Sequence, residues 1–157
     1  MATWREFAEG EPAIATLAER TFRRYGIAYL ATVDSASWPR LHPISPAIVD
    51  GQMYLGIIPT SPKRRDLDGN GRFMLHCLPG PDNTEVRLRG TVRRLPEPDV
   101  AVLVAKSTPK TALHRDTLYY VLDITSAGMT TYTAQPGETR PSPAHLTWRD
   151  PNGRTAD

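Results

Sequence analysis

Residues Thr60-Ser61-Pro62-Lys63-Arg64-Arg65 gather hydroxyls, an ammonium and two guanidinium groups at what reads as the entry to a short helix. Free backbone amides, the helix dipole and fixed positive charge together suit a phosphate group. A solvated basic turn has the same composition, and the residues alone leave both readings open. A second segment, Pro39-Arg40-Leu41-His42-Pro43-Ile44-Ser45-Pro46, reads as a strand interrupted by prolines. Each proline within a strand removes a ladder donor, so part of this strand has a free backbone edge or a bulge. Such an edge can hydrogen-bond a flat heterocycle, or it can be an ordinary irregular margin. Arg87, Arg89 and Arg93 form a third group, which alternates along one face of a strand. It suits either an anion-binding groove or a solvent face.

Other chemistries find little support. His42, His76, His114 and His145 lack zinc-type ligand spacing, and Cys77 is the one cysteine, so no metal site is expected. Beside Leu75 and Leu78, Cys77 reads as a core residue rather than a nucleophile. A lone cysteine also excludes an internal disulfide and agrees with a reducing, cytoplasmic setting. There is no Gly-x-Ser-x-Gly elbow, no Walker-type loop and no dinucleotide-binding glycine fingerprint. A net charge of +2 does not require a nucleic-acid partner. A barrel whose Arg87, Arg89, Arg93 stripe tracks phosphates is weakened by the lack of interleaved aromatics. Three of the 19 basic residues are lysines; arginine forks suit phosphate and carboxylate, and a compositional bias of the genome gives the same excess. No apolar run is long enough to span a membrane, and the first ten residues lack a secretory apolar stretch.

The elements that must position these groups follow from periodicity. Pro12 to Tyr25 is an amphipathic helix, opened by Pro12 and stopped by Gly26. Ala28–Val33 reads as a strand, followed by the turn residues Asp34 to Ser37. Leu41–Val49 is a second strand, and Asp50-Gly51 turns it tightly into Gln52–Ile58. Ser61 as cap and Pro62 as first residue start a short helix that Gly69-Asn70-Gly71 ends. Arg72–Leu78 and Glu85–Leu95 are strands, the latter alternating cleanly between apolar and charged residues. Pro96–Lys106 reads as a helix, and Leu118–Thr125 and Met129–Tyr132 as a terminal hairpin about Ser126-Ala127-Gly128. The tail after Gln135 is rich in Pro, Gly and charge, with Leu146-Thr147-Trp148 as a docking point.

With 157 residues, the chain reads as a single domain spanning 1–157, with a core over about 25–134 and a tail over 135–157. Hairpin connections leave no room for parallel crossovers. The expected fold is mainly β: a six-stranded antiparallel barrel with two to three peripheral helices.

Three stretches together resemble the pyridoxamine 5'-phosphate oxidase-like superfamily, the flavin-binding split barrels. The first runs from Tyr29-Leu30-Ala31-Thr32-Val33-Asp34 through Pro39 to Pro46 and on to Asp50-Gly51-Gln52-Met53-Tyr54-Leu55. The second is Ser61-Pro62-Lys63-Arg64-Arg65-Asp66-Leu67 with Arg72-Phe73-Met74-Leu75-His76, and the third Glu85-Val86-Arg87-Leu88-Arg89-Gly90-Thr91-Val92. The similarity runs from about Tyr25 to Tyr132, and Leu146-Thr147-Trp148-Arg149 is similar to the closing segment of small members. Ser37 stands where the superfamily often has glycine.

The resemblance implies a Greek-key split barrel that forms a two-fold homodimer with cofactor sites at the interface. It implies that His42, Pro43, Ile44 and Ser45 lie along an isoalloxazine ring, and that Ser61, Lys63 and Arg64, with Thr60 beside them, hold the phosphate. Arg87 and Trp148 would approach from the partner subunit. The implied cofactor is FMN or the deazaflavin coenzyme F-420. The implied activity is an oxidoreductase acting on an unidentified small molecule, with a flavin-holding protein that does not turn over as the alternative. The carboxy-terminal substrate region of true pyridoxamine phosphate oxidases is not recognisable, so vitamin B6 oxidation is not implied.

Overall fold

Helix α2 (Pro12–Tyr25) forms where its periodicity predicts, with Pro12 in the first turn and Gly26 in the left-handed conformation at its end. It buries Ile14, Ala15, Ala18 and Phe22. In this computed structural model, which describes residues 2–80, 82–106, 116–134 and 140–153, three further helices accompany it: α1 (Trp4–Gly10), α3 (Pro62–Asn70) and α4 (Glu97–Ala105). His114 and the segments 107–115 and 135–139 lie outside the described residues.

The strands are β1 (Ala28–Val33), β2 (Pro39–Ile44), β3 (Pro46–Val49), β4 (Gln52–Ile57), β5 (Arg72–Cys77), β6 (Glu85–Arg94), β7 (Leu118–Thr133) and β8 (Ser142–Arg149). They make one curled antiparallel sheet in the order β2-β1-β5-β6-β7-β4-β3, with β8 pairing β7. The fold is mainly β as expected, but the described residues form eight strands rather than six, and four helices rather than two or three.

Three differences have clear physical causes. First, the expected strand Leu41–Val49 changes partners at Ser45. β2 pairs with β1 and β3 pairs with β4, so the two ends of the sheet path are one residue apart in the chain. Pro43 and Pro46 flank this switch at the sheet margin, where a missing donor costs no ladder bond. Second, Ser126-Ala127-Gly128 is no turn: β7 runs straight through it, and a bulge opposite Arg89/Gly90 absorbs one extra residue. Gly90 is required there, because a Cβ would sit 1.9 Å from the Asp123 carbonyl oxygen. Third, part of the expected tail is strand β8, whose Leu146 and Trp148 pack against the core. Helix α1 was not expected, yet it carries a complete capping box: Glu6 N–H donates to Thr3 Oγ1 and Thr3 N–H to Glu6 Oε2.

Alternation sets two faces. Ala28, Leu30 and Thr32 of β1 are buried, as are Leu75, Leu88 and Leu122; this inner face meets α1, α2 and Leu67 of α3. Tyr29 and Val33 point outward with Leu41 of β2 and are exposed. The Asp50–Gly51 turn takes positive φ at both residues, as a two-residue hairpin demands. Ser37 also adopts positive φ, the conformation a glycine would take most easily. Cys77 is buried, and burial pushes its thiol up to about 12.

Candidate functional site at the β2 edge and the α3 entrance

Helix α3 is bound to β1 at two points. Thr32 Oγ1 donates to Asp66 Oδ2 at 2.7 Å, and one turn later Asn70 Nδ2 donates to the Val33 carbonyl at 2.9 Å. Leu67, between them, is buried in the core. Asp66 is itself buried and faces Arg40 of β2, whose Nε lies 3.4 Å from Asp66 Oδ2. Arg40 Nη2 also donates to Asp34 Oδ2 at 2.9 Å, and Asp34 Oδ1 accepts from the Ala36 and Trp38 amides. These bonds join the β1–β2 turn, both strands and the helix.

Lys63, Asp66, Leu67 and Asn70 share one helical stripe, at spacings of three, four and seven. Lys63 therefore lies on the sheet-facing side, one turn towards the helix entrance from Asp66. It is half-buried, and burial depresses its ammonium below the usual lysine range. Among the described residues no carboxylate pairs with it. His42, opposite Leu30 in the β1–β2 register, lies within electrostatic reach of this ammonium. Burial first, then the Lys63 charge, hold the His42 imidazole below the usual histidine range, with Asp66 opposing and Arg40 adding to the depression. His42 Nε2 is shielded from solvent and has no hydrogen-bond partner. An unpaired cation beside an unpartnered ring nitrogen is an arrangement suited to an anion that accepts from both.

The remaining residues singled out from the sequence divide. Ile44 shares the inner face with His42 and is buried, whereas Pro43 and Ser45 alternate outward and are exposed. Thr60 lies exposed and Ser61 half-buried in the turn before α3; Ser61 takes the cap position, but its side chain makes no capping bond. Arg64 faces away from Lys63: its Nη1 donates to Asp68 at 3.2 Å, and Asp68 also accepts from Tyr120 Oη at 2.7 Å. Arg87 lies on the outer face in one register row with Pro43, Tyr29 and His76. Three strand spacings separate it from Pro43, about 14 Å along the sheet. Trp148 stands apart. It packs on the inner face against Phe7, with ring centroids 5.1 Å apart, and over Gly10, where a Cβ would lie 2.8 Å from the indole nitrogen.

No family model matches the chain, and no curated protein matches its sequence. Solved structures do match. A Clostridium acetobutylicum protein related to general stress protein 26 of B. subtilis, of the pyridoxinephosphate oxidase family, superimposes with a TM-score of 0.64 at 11% identity. The match covers 85% of this chain and 92% of that one. An F-420 reductase matches with a TM-score of 0.53 at 21% identity, over 69% of this chain and 94% of the other. A heme-binding protein from Mycobacterium smegmatis matches with a TM-score of 0.59 at 17% identity over 85% of this chain, which spans 58% of that protein's length. The fold is that of the pyridoxamine 5'-phosphate oxidase-like split barrels.

Within this split barrel, residues that pattern reading passed over prove to organise the site. Thr32, Arg40 and the α3 pair Asp66 and Asn70 come from three separate elements, and no local spacing links the strand residues to the helix. Two open grooves, of about 530 and 520 Å³, run along α2 past Arg20, Asp82 and Thr84 rather than between β2 and α3. Among the described residues no helix is long and apolar enough to cross a membrane.

Proposed function

We propose that this split barrel binds FMN or the deazaflavin F-420, with the phosphate at Lys63 and His42 and the ring along β2, and uses it as an oxidoreductase on a small molecule. The observation that carries this reading is Lys63: a half-buried ammonium with no acidic partner among the described residues, within electrostatic reach of His42, whose Nε2 is unpartnered. Both groups fit a phosphate oxygen, which relieves the desolvated charge and fills the open acceptor or donor position. The free margin of β2, flanked by Pro43 and Pro46, fits the polar edge of a flat heterocycle. When bound, the flavin supplies the electron or hydride transfer; the protein supplies position, electrostatics and exclusion of water.

The outer face supports a second copy of the chain as the partner. Leu41 is 64% exposed, opposite Ala31 between Tyr29 and Val33 on the outside of β1 and β2, and Trp38 in the turn before β2 is 71% exposed. Apolar exposure of this kind marks an association surface. A two-fold dimer through this face covers it, and brings Arg87 of the same outer face towards the second protomer.

The test is a titration of the purified chain with FMN and with F-420, followed by absorption and fluorescence, with heme in parallel. Saturable binding of one flavin, weakened at least tenfold in Lys63→Ala, is the expected result. Heme binding with neither flavin bound overturns the proposal. Turnover with quinone, nitro, tetrapyrrole or unsaturated-lipid acceptors then separates an oxidoreductase from a protein that only holds the flavin.

A further inference from the structure

We propose that Asp66, gripped by Thr32 and Arg40, is a positioning residue for the phosphate site: it fixes the rotation of α3 so that Lys63 meets His42. This inference rests on the flavin reading above and adds to it a residue that need not touch the ligand.

A helix held at one point can roll about its axis, and a roll of one residue moves a side chain by about 100°. Leu67 resists rolling only through apolar contact, which is non-directional. The Asp66 carboxylate is directional: Oδ2 accepts from Thr32 Oγ1 at 2.7 Å and faces Arg40 Nε at 3.4 Å. Its two partners sit side by side on β1 and β2, in the Thr32–Arg40 register pair: the hydrogen bond ties the carboxylate to β1, and the ion pair, in which Arg40 Nε makes no hydrogen bond, draws it towards β2. Lys63 is three residues upstream on the same stripe, and His42 is two residues beyond Arg40 on the same face of β2. The pairs Asp66–Arg40 and Lys63–His42 are therefore successive rungs between one helix and one strand. Setting the first sets the second. Asn70, bonded to Val33, and Asp68, bonded to Tyr120, hold the later part of the helix, and the Asp66 bond is the one nearest Lys63.

The inference separates positioning from plain stability through the ligand's phosphate. The full chain is titrated with FMN and riboflavin, and with F-420 and its phosphate-free deazaflavin counterpart; the affinity ratio within each pair reads the phosphate contact. In Asp66→Asn, phosphate-bearing ligands should lose roughly tenfold in affinity while the phosphate-free ones stay within about twofold. Adding Lys63→Ala to Asp66→Asn should cost little more, because the two act through one contact. Should Asp66→Asn fail to fold, Thr32→Val removes the 2.7 Å bond at nearly constant shape, and Thr32→Ser should restore the ratio. Equal loss for both members of a pair, or an unchanged ratio, overturns the positioning role. A ratio that collapses in Lys63→Ala but survives in Asp66→Asn overturns it while leaving the flavin reading intact. Absence of binding by any of the four ligands to the unmodified chain overturns both.

Discussion

Tyr120 and Asp68 are joined by a 2.7 Å hydrogen bond from phenol to carboxylate, linking β7 to α3. Asp68 also takes Arg64, so this second cation at the helix entrance is engaged within the protein while Lys63 is left open. Burial first, then the Asp68 bond, raise the Tyr120 phenol well above the usual tyrosine range. Tyr120→Phe should lower stability by about 1 kcal/mol, since Asp68 is partly exposed and water replaces the lost donor. Urea unfolding measures it, and phosphate-ligand affinity should stay within about twofold because Lys63 is untouched.

A half-buried, unpaired ammonium is a burden on the folded state. Lys63→Met keeps the length of the side chain and removes the charge. It should raise stability by about 0.5 kcal/mol and weaken the phosphate-bearing flavin at least tenfold. Thermal unfolding and titration on the same sample check both signs; a variant less stable than the parent would show that the ammonium is not strained.

His42 makes stability depend on pH in a definite direction. Its folded-state pKa is lowered, so on acidification the unfolded chain takes up this proton first. The contribution is fully present above the usual histidine value of about 6.5 and is lost as pH falls through the lowered folded value. Unfolding midpoints measured between pH 7 and pH 5 should therefore fall more steeply for the parent than for His42→Asn. Equal slopes would place the imidazole in ordinary solvent.

At the β6–β7 bulge the backbones approach too closely for any side chain. Gly90→Ala puts a methyl group 1.9 Å from the Asp123 oxygen, and that atom belongs to the backbone of a central strand. The cost should be about 3 kcal/mol or more, visible as a large drop in the unfolding midpoint. Gly69→Ala, where a Cβ meets nothing, is the control and should be near neutral or stabilising.

Much of this fold was legible because local signals and tertiary structure agree. Asp50-Gly51 marked its hairpin, Ser61-Pro62 marked the start of α3, and the alternation of Val86 and Leu88 marked β6. The turn-like types of Ser126-Ala127-Gly128 misled because a bulged strand accepts the same small residues as a turn. Gly128 has a specific neighbour, since the Arg87 guanidinium lies over it. The Thr3-x-x-Glu6 capping box was in the sequence and would have revealed α1. For the site, Lys63 and His42 were legible as residue types. The divergence of Lys63 from Arg64 was not, because it depends on which helix face meets β1 and which meets Tyr120. The Thr32–Asp66 bond spans 34 residues and has no pattern along the chain.

Ser45 is the joint at which the sheet's first and last margins become neighbours along the backbone. Arg40, His42 and Ile44 on one side, and Pro46 and Ile48 on the other, keep a common odd–even parity through it. Because β3 is locked by its two-residue turn to β4, dropping one residue at this joint would invert every side chain of β2. His42 would then look out into water and Leu41 inward at α3. Surface loops tolerate a change of length; at this joint the number of residues decides which face of β2 meets α3.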